Sequence, residues 1–486
     1  MSLGRITLAG TGVVLVPVVI YSALQLMDQD PITFYIWSIV LMNLIAGYWS
    51  MRMTKSASFF SSLIAMFLLF TTMYSITYPL DHAIGSLHNL SEERLVHILQ
   101  LYVLANISLI GGIVLMTCLS SINVQWNGRI GAVVERKVPE LPLQQQEKNS
   151  IFDILYWPSL IVLLMGIAMM IYDQMRLGGF SVIGVSNRLS NFQAQRQLEG
   201  LSLPWKAIIT SSLLTLALSI RTKKQRHLFY FITLMLGMFF FFGLGSRGFI
   251  LITILPCLGV MIDRGYVRMT KWKQVMLVGL MLLLLSPLFT NFRMSLIEGV
   301  PMDSMPEQSW AFSNGETGSS FIVTADILSV TDYPEADPSY TTAVGYVLPS
   351  AVYKGITGHA KPLNIGDWYV WYFYPYIYAE GGGKGFSPLA QAWMNGGVWA
   401  VIAVFTMIGG LLVWASRGHF IKYLALPLTM TFQRMSFHAI VADLVYELIF
   451  ILIILLLAAL MRPKAWKWLK QARPEETAAK SINSFS

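Results

Sequence analysis

The chain has 486 residues, 55% hydrophobic and only 12% charged, with a mean hydropathy of +0.58. Soluble domains carry roughly a quarter charged residues, so this composition excludes a water-covered globule, along with disordered, collagen-like and disulfide-built chains, and a polytopic membrane protein remains. The net charge of +8 does not point to nucleic acid, because basic residues in such proteins record which loops stay in the cytoplasm.

A spanning helix needs about 20 mostly apolar residues. In chain order the candidates are 6–27, 32–50, 57–77, 96–120, 151–172, 204–220, 228–245, 248–262, 274–290, 396–415, 419–437 and 440–461. The segment 248–262 is short, and 419–437 carries Lys422 and Arg434. One basic residue, Arg5, precedes the first run and no small-residue cleavage site follows it, so that span is expected to be retained rather than cleaved. The two cysteines, Cys118 and Cys257, fall inside apolar runs and read as small buried hydrophobes. Residues 1–290, 291–387, 388–461 and 462–486 then read as a first set of nine spans, a large outer loop, three last spans and a cytoplasmic tail.

With both termini cytoplasmic, the inner segments hold 23 of the 34 Lys and Arg, and the 97-residue loop 291–387 holds four. That is the inside-positive bias expected of an inner-membrane protein. A loop of such length without structure is unusual, so short helices lying over the membrane are expected in it. The fold class is therefore an all-α polytopic membrane protein, with about twelve transmembrane helices and a large periplasmic loop carrying short helices.

The outer arginines are Arg94, Arg176, Arg188, Arg196, Arg247, Arg293 and Arg434. Guanidinium is planar and forked and grips phosphate through paired N–H groups. Arg247 lies in Gly245-Ser246-Arg247-Gly248, a tight junction between two apolar runs, where an ionisable group is costly and tends to be functional. Arg434 holds a similar place near the outer end of the penultimate candidate span. No Cys/His cluster or His-Glu-x-x-His pattern points to a metal. His359, between turn-formers in the large loop, is a candidate general base on a hydroxyl, with Glu380 second. The aromatic run 368–378, including Trp371 and Tyr376, suits both an interfacial belt and a platform for sugar rings.

Glu380-Gly-Gly-Gly-Lys384-Gly385-Phe386-Ser387-Pro388 leads into a helix, and glycine-rich amide clusters at helix starts bind anions. Gly383, Lys384, Gly385 and Ser387 are thus candidate substrate-loop residues. The stretch from Gly383 to Gly397 resembles the Gly-x-Gly-Phe-Ser-x-x-Ala-Glu-Ala-x-x-Asn-Phe-Gly pattern of O-antigen polymerases, the Wzy family of oligosaccharide repeat-unit polymerases. Gln391 stands where the pattern has Glu, and Gly396 where it has Phe. Gln391 is accordingly expected to pack or hydrogen-bond rather than catalyse. The large loop before the motif, the earlier Gly-Ser-Arg turn and an Arg in the final hairpin are similar to that family's layout too.

The resemblance implies a GT-C-like glycosyltransferase working in the outer leaflet without a cofactor. Its substrate would be an undecaprenyl-pyrophosphate-linked oligosaccharide, a membrane lipid, with a chain-length regulator as a possible further partner. Arg247 and Arg434, with one or more of Arg176, Arg188, Arg196 and Arg293, are then expected to bind the pyrophosphate. An O-antigen ligase, which shares the architecture and the donor, and a polysaccharide flippase remain alternatives.

Overall fold

The computed structural model describes residues 30–54, 62–85, 90–131, 154–176, 204–240, 247–267, 311–379 apart from 315, 349, 360 and 362, 383–418 and 421–461, with single positions at 291, 295 and 301. Among the described residues every regular element is helical. Six helices are long and apolar enough to cross a membrane. They lie within α1 (Pro31–Thr54), α2 (Leu63–Ala83), α3 (Glu92–Gly131), α4 (Tyr156–Arg176), α13 (Pro388–Arg417) and α16 (Phe437–Met461). Between them come α5 (Trp205–Ser219), α6 (Lys223–Met238) and α7 (Arg247–Asp263). The segment from 311 to 379 carries a single 3-10 turn (Phe312–Asn314), α8 (Glu316–Leu328), α9 (Ala343–Tyr346), α10 (Ser350–Thr357), α11 (Ile365–Phe373) and α12 (Pro375–Ala379).

The expected spans 6–27 and 274–290 lie outside the described residues. The expected span 419–437 is not one helix. Two short helices, α14 (Ile421–Ala425) and α15 (Leu428–Thr431), occupy it. Pro427 between them lacks an N–H and disfavours helix at the residue before it, and the polar Gln433, Arg434 and Ser436 lie in the turn that follows. Cys257 is buried, but Cys118 is exposed on α3. An apolar thiol on a lipid-facing surface needs no protein cover, so the expectation of burial fails there.

Local signals start these helices. Asp30 Oδ1 accepts the Thr33 N–H at 3.1 Å with Pro31 at the first position of α1. Ser62 caps α2, and Thr222 with Gln225 forms a reciprocal capping box on α6. Packing does the rest. α3 and α13 run against each other where Gly112 and Gly409 meet, so closely that a Cβ on Gly112 would lie 2.0 Å from the Thr406 carbonyl oxygen. Small residues at such crossings let backbones approach in the absence of a hydrophobic drive between helices. Asn43 of α1 donates to Thr72 on α2 at 2.9 Å and to Asn106 on α3 at 2.8 Å, joining three helices through one amide.

The bundle has two chemically distinct ends. At one, Asp263 accepts from Lys422 and from the Tyr423 hydroxyl, each at 2.5 Å, and Arg264 donates to the Ile220 carbonyl. Arg221, Lys223, Lys224 and Arg226 lie at the same end. At the other, Asp81 near the end of α2 takes the Phe312 and Ser313 N–H groups, and Arg94 at the start of α3 reaches the Ala325 carbonyl. The starts of α13 and α16 are at this second end, beneath α8.

Candidate functional site

α8 is the hub of that end. Phe321 is sandwiched between Tyr78 and Tyr102, nearly parallel to both, at centroid distances of 5.2 and 5.4 Å. This stack anchors α8 to α2 and α3. On its other side, Thr324 donates to Ser387 Oγ at 2.9 Å, and Ser387 Oγ in turn accepts the Ala390 N–H as the N-cap of α13. Ser320 donates to the Gln433 carbonyl at 2.6 Å. One face of α8 thus holds both the motif and the turn that carries Arg434.

The motif and that turn also meet directly. Phe386 N–H donates to the Arg434 carbonyl at 2.8 Å. Gly385 has φ +72°, and a Cβ there would lie 2.8 Å from the same carbonyl oxygen. Only glycine supplies both the left-handed backbone and the room. Gly385 and Phe386 therefore clamp the Arg434 backbone, while Ser387 is buried as a cap. Gln433 adds a third tether through Thr71 of α2 at 2.7 Å.

Gln391 is fully buried and orders the next layer. Its Oε1 accepts the Phe437 N–H at 2.9 Å, so its amide nitrogen faces the Pro338 carbonyl and His438 Nδ1, at 3.0 and 3.3 Å. His438 Nδ1 is then an acceptor. Its Nε2–H is left to donate to Thr342, 2.9 Å away, whose hydroxyl passes on to the Ser339 carbonyl. The imidazole is neutral and both nitrogens are used. Asn395 also donates to Pro338 O, at 2.8 Å. A carboxylate at position 391 would set an acceptor against that carbonyl, which gives the departure from the glutamate pattern a physical reason. Gln391→Leu leaves the Phe437 N–H and His438 without their partner, a loss on the order of 3 kcal/mol. Thermal unfolding in detergent measures it, and an unchanged midpoint would contradict the network.

Above the motif, α11 and α12 fold the aromatic run back on α8. Asn364 caps α11 by accepting the Gly366 and Asp367 N–H groups. Trp368 and Tyr369 are buried, and Trp368 Nε1 donates to the Pro334 carbonyl. Trp371 and Tyr376 remain exposed, Tyr376 by 63%, so these two rings are available to a ligand or to lipid. Asp326, in the last turn of α8, accepts at Oδ2 from the hydroxyls of Tyr369 (2.6 Å) and Tyr374 (2.8 Å). Burial and Asp326 together push both hydroxyls up, Tyr374 to about 12, so both remain donors.

Lys384 Nζ lies 3.3 Å from the centre of the Tyr374 ring, a cation–π contact. Burial draws its ammonium below the ordinary lysine value, with Asp326 opposing the shift. A lysine lowered in this way is charged below that value and loses its charge as pH rises through it. If the charge serves the substrate, the alkaline limb of the pH–rate profile lies lower than an unperturbed lysine would place it, and Lys384→Arg moves the limb upward. A limb that stays put would separate Lys384 from activity.

Among the other residues anticipated from sequence, Arg176 ends α4 and is exposed at this same end, where Asp173 accepts from Trp205 at 3.1 Å. Arg247 is the first residue of α7, described through its backbone. His359 is exposed beyond α10, and its backbone N–H bonds Thr357. Arg188, Arg196, Arg293 and Glu380 lie outside the described residues, as do Gly381 and Gly382 of the glycine run. Gly383 is exposed. Asp326 escaped the sequence reading: its one signal is a lone acid closing the apolar stretch Phe321-Ile322-Val323-Thr324-Ala325. His438 was visible only as one of several outer histidines.

Among the described residues no group of three or more His, Cys, Asp or Glu is placed to hold a metal ion. The family model described as O-antigen polysaccharide polymerase Wzy matches residues 11–464, nearly the whole chain. No curated protein and no solved structure matched it.

Proposed function

The chain belongs to the O-antigen polysaccharide polymerase Wzy family, and from that premise we propose that it polymerises undecaprenyl-pyrophosphate-linked repeat units at the periplasmic face of the inner membrane. The family makes it a membrane glycosyltransferase acting on lipid-linked oligosaccharides. The finer reading has the growing chain leave its lipid pyrophosphate and pass to a hydroxyl of a new unit. Arg434 and Arg247, with one or more of Arg176, Arg188, Arg196 and Arg293, hold the pyrophosphate and stabilise the charge that develops as it leaves. Guanidinium groups supply the neutralisation, so the reaction as proposed requires no metal. His359 and Glu380 are the sequence's candidates for taking the acceptor proton.

The observation that carries this reading is the clamp between Gly385-Phe386 and the Arg434 backbone. The family motif and the arginine are thereby parts of one rigid assembly. The sidedness rests on the basic end of the bundle. Arg221, Lys223, Lys224, Arg226, Arg264 and Lys422 lie opposite the motif, and basic ends face the cytoplasm. The site then opens to the outer leaflet, and both termini are cytoplasmic.

Deletion of the gene and examination of the host's surface polysaccharide provides the test. Loss of a polymerase leaves core capped by single repeats. Core with no repeat attached would instead indicate a ligase, and repeats trapped on the inner leaflet a flippase; either outcome overturns the proposal.

A further inference from the structure

We propose that Asp326 is the general base of the transfer reaction, held in place by Tyr369 and Tyr374; this rests on the polymerase reading above. Three observations carry it. Oδ2 of Asp326 takes two tyrosine hydroxyls, at 2.6 and 2.8 Å, which fixes the plane and rotation of the carboxylate. Oδ1 takes no hydrogen bond from any described residue, and the residue is only partly buried, so that oxygen is oriented and accessible. Lys384 of the family motif stands over the Tyr374 ring in the same cluster. A candidate base needs geometry first, a proton acceptor fixed within reach of a bound hydroxyl. His359 is exposed on a turn, and no described residue holds its ring. His438 has both ring nitrogens occupied. Among the described groups at this end, Asp326 combines orientation with a vacant acceptor.

The step balances without a further reagent. The acceptor hydroxyl oxygen forms a bond to the anomeric carbon of the donor sugar. The bond from that carbon to the pyrophosphate oxygen breaks, and its electron pair leaves with the lipid pyrophosphate. The hydroxyl proton passes to Asp326 Oδ1 and from there to water. Tyr369 and Tyr374 are positioning residues, since they act through the carboxylate. Lys384, beside it, is available to a donor phosphate oxygen.

The test uses the full-length protein in proteoliposomes with purified lipid-linked repeat units that the wild type polymerises. Asp326→Asn keeps the volume and an oxygen for both tyrosines but removes the base. It is expected to lower kcat by about 100-fold or more, with KM little changed and the unfolding midpoint retained. Asp326→Asn within about threefold of wild type overturns the assignment. Should Asp326→Asn fail to fold, Tyr369→Phe and Tyr374→Phe carry the test. Each is expected to lower kcat about tenfold at constant KM, and an unchanged kcat in both overturns the proposal. A wild type that makes no polymer would instead sink the polymerase reading itself.

Discussion

Alanine at Gly409 is expected to lower the stability of the folded protein more than any other single-methyl addition along α13. The added Cβ would lie 2.2 Å from the Leu109 carbonyl oxygen and 2.9 Å from the Ile113 nitrogen. Both are backbone atoms of α3, so no side chain can swing aside. α3 and α13 must separate by more than an ångström, which strips van der Waals contact along the whole crossing. The cost lies at or above the upper end of the ~1–3 kcal/mol typical of overpacking. Gly112→Ala meets the Thr406 carbonyl at 2.0 Å and behaves alike. The two substitutions open the same interface, so the double variant costs less than the sum of the singles. Gly111 is the control: no atom lies within 4 Å of its added Cβ, and alanine there is neutral or gains helix propensity, about 1 kcal/mol. Thermal unfolding in detergent reads all four. Equal midpoints for Gly111→Ala and Gly409→Ala would contradict the crossing.

Arg434→Ala is expected to abolish polymer formation while leaving the fold intact. Its backbone serves the fold: the carbonyl takes the Phe386 N–H, and the N–H reaches the Thr431 carbonyl at 3.1 Å. Alanine keeps both bonds. What is lost is a forked cation carried on a turn tethered to α8, to α2 and to the motif. Preorganised charge at a leaving group is worth roughly 10²–10³ in rate. Arg434→Lys restores the charge but not the paired N–H geometry and recovers part of that loss. Normal-length polymer from Arg434→Ala at normal expression would remove Arg434 from the leaving-group role.

The spans were legible because a membrane writes them as long apolar runs; α1 matches its run closely, while α2 and α4 lie four to six residues further along than 57–77 and 151–172. The site was legible where the signal was local. The motif stood out in sequence as a substrate loop, whereas the structure uses Gly385 for the close approach to the Arg434 carbonyl and Ser387 as the buried cap of α13. Segment 419–437 misled because its apolar content hides Pro427, which splits it, and a turn whose polar residues are satisfied by distant partners, Ser320 and Thr71. Asp326 was hidden for a related reason. It lies 43 and 48 residues from the tyrosines that orient it, and periodicity on α8 says only that the helix is half apolar. Gln391 showed its departure from the family pattern in sequence, but the reason, a carbonyl and a histidine on the other side of the fold, comes only from the packing of α13 on α16.

The central claim is that the end of the bundle bearing the motif joins lipid-linked repeat units. Its most direct test is a single reconstitution: purified protein in proteoliposomes, with undecaprenyl-pyrophosphate-linked repeat units already in the leaflet opposite the basic loops and no other enzyme present. A ladder of lipid-linked polymers that grows with time and is absent for Arg434→Ala is the expected result. Repeat units that stay single with the wild-type protein, or a ladder equally strong with Arg434→Ala, would contradict it.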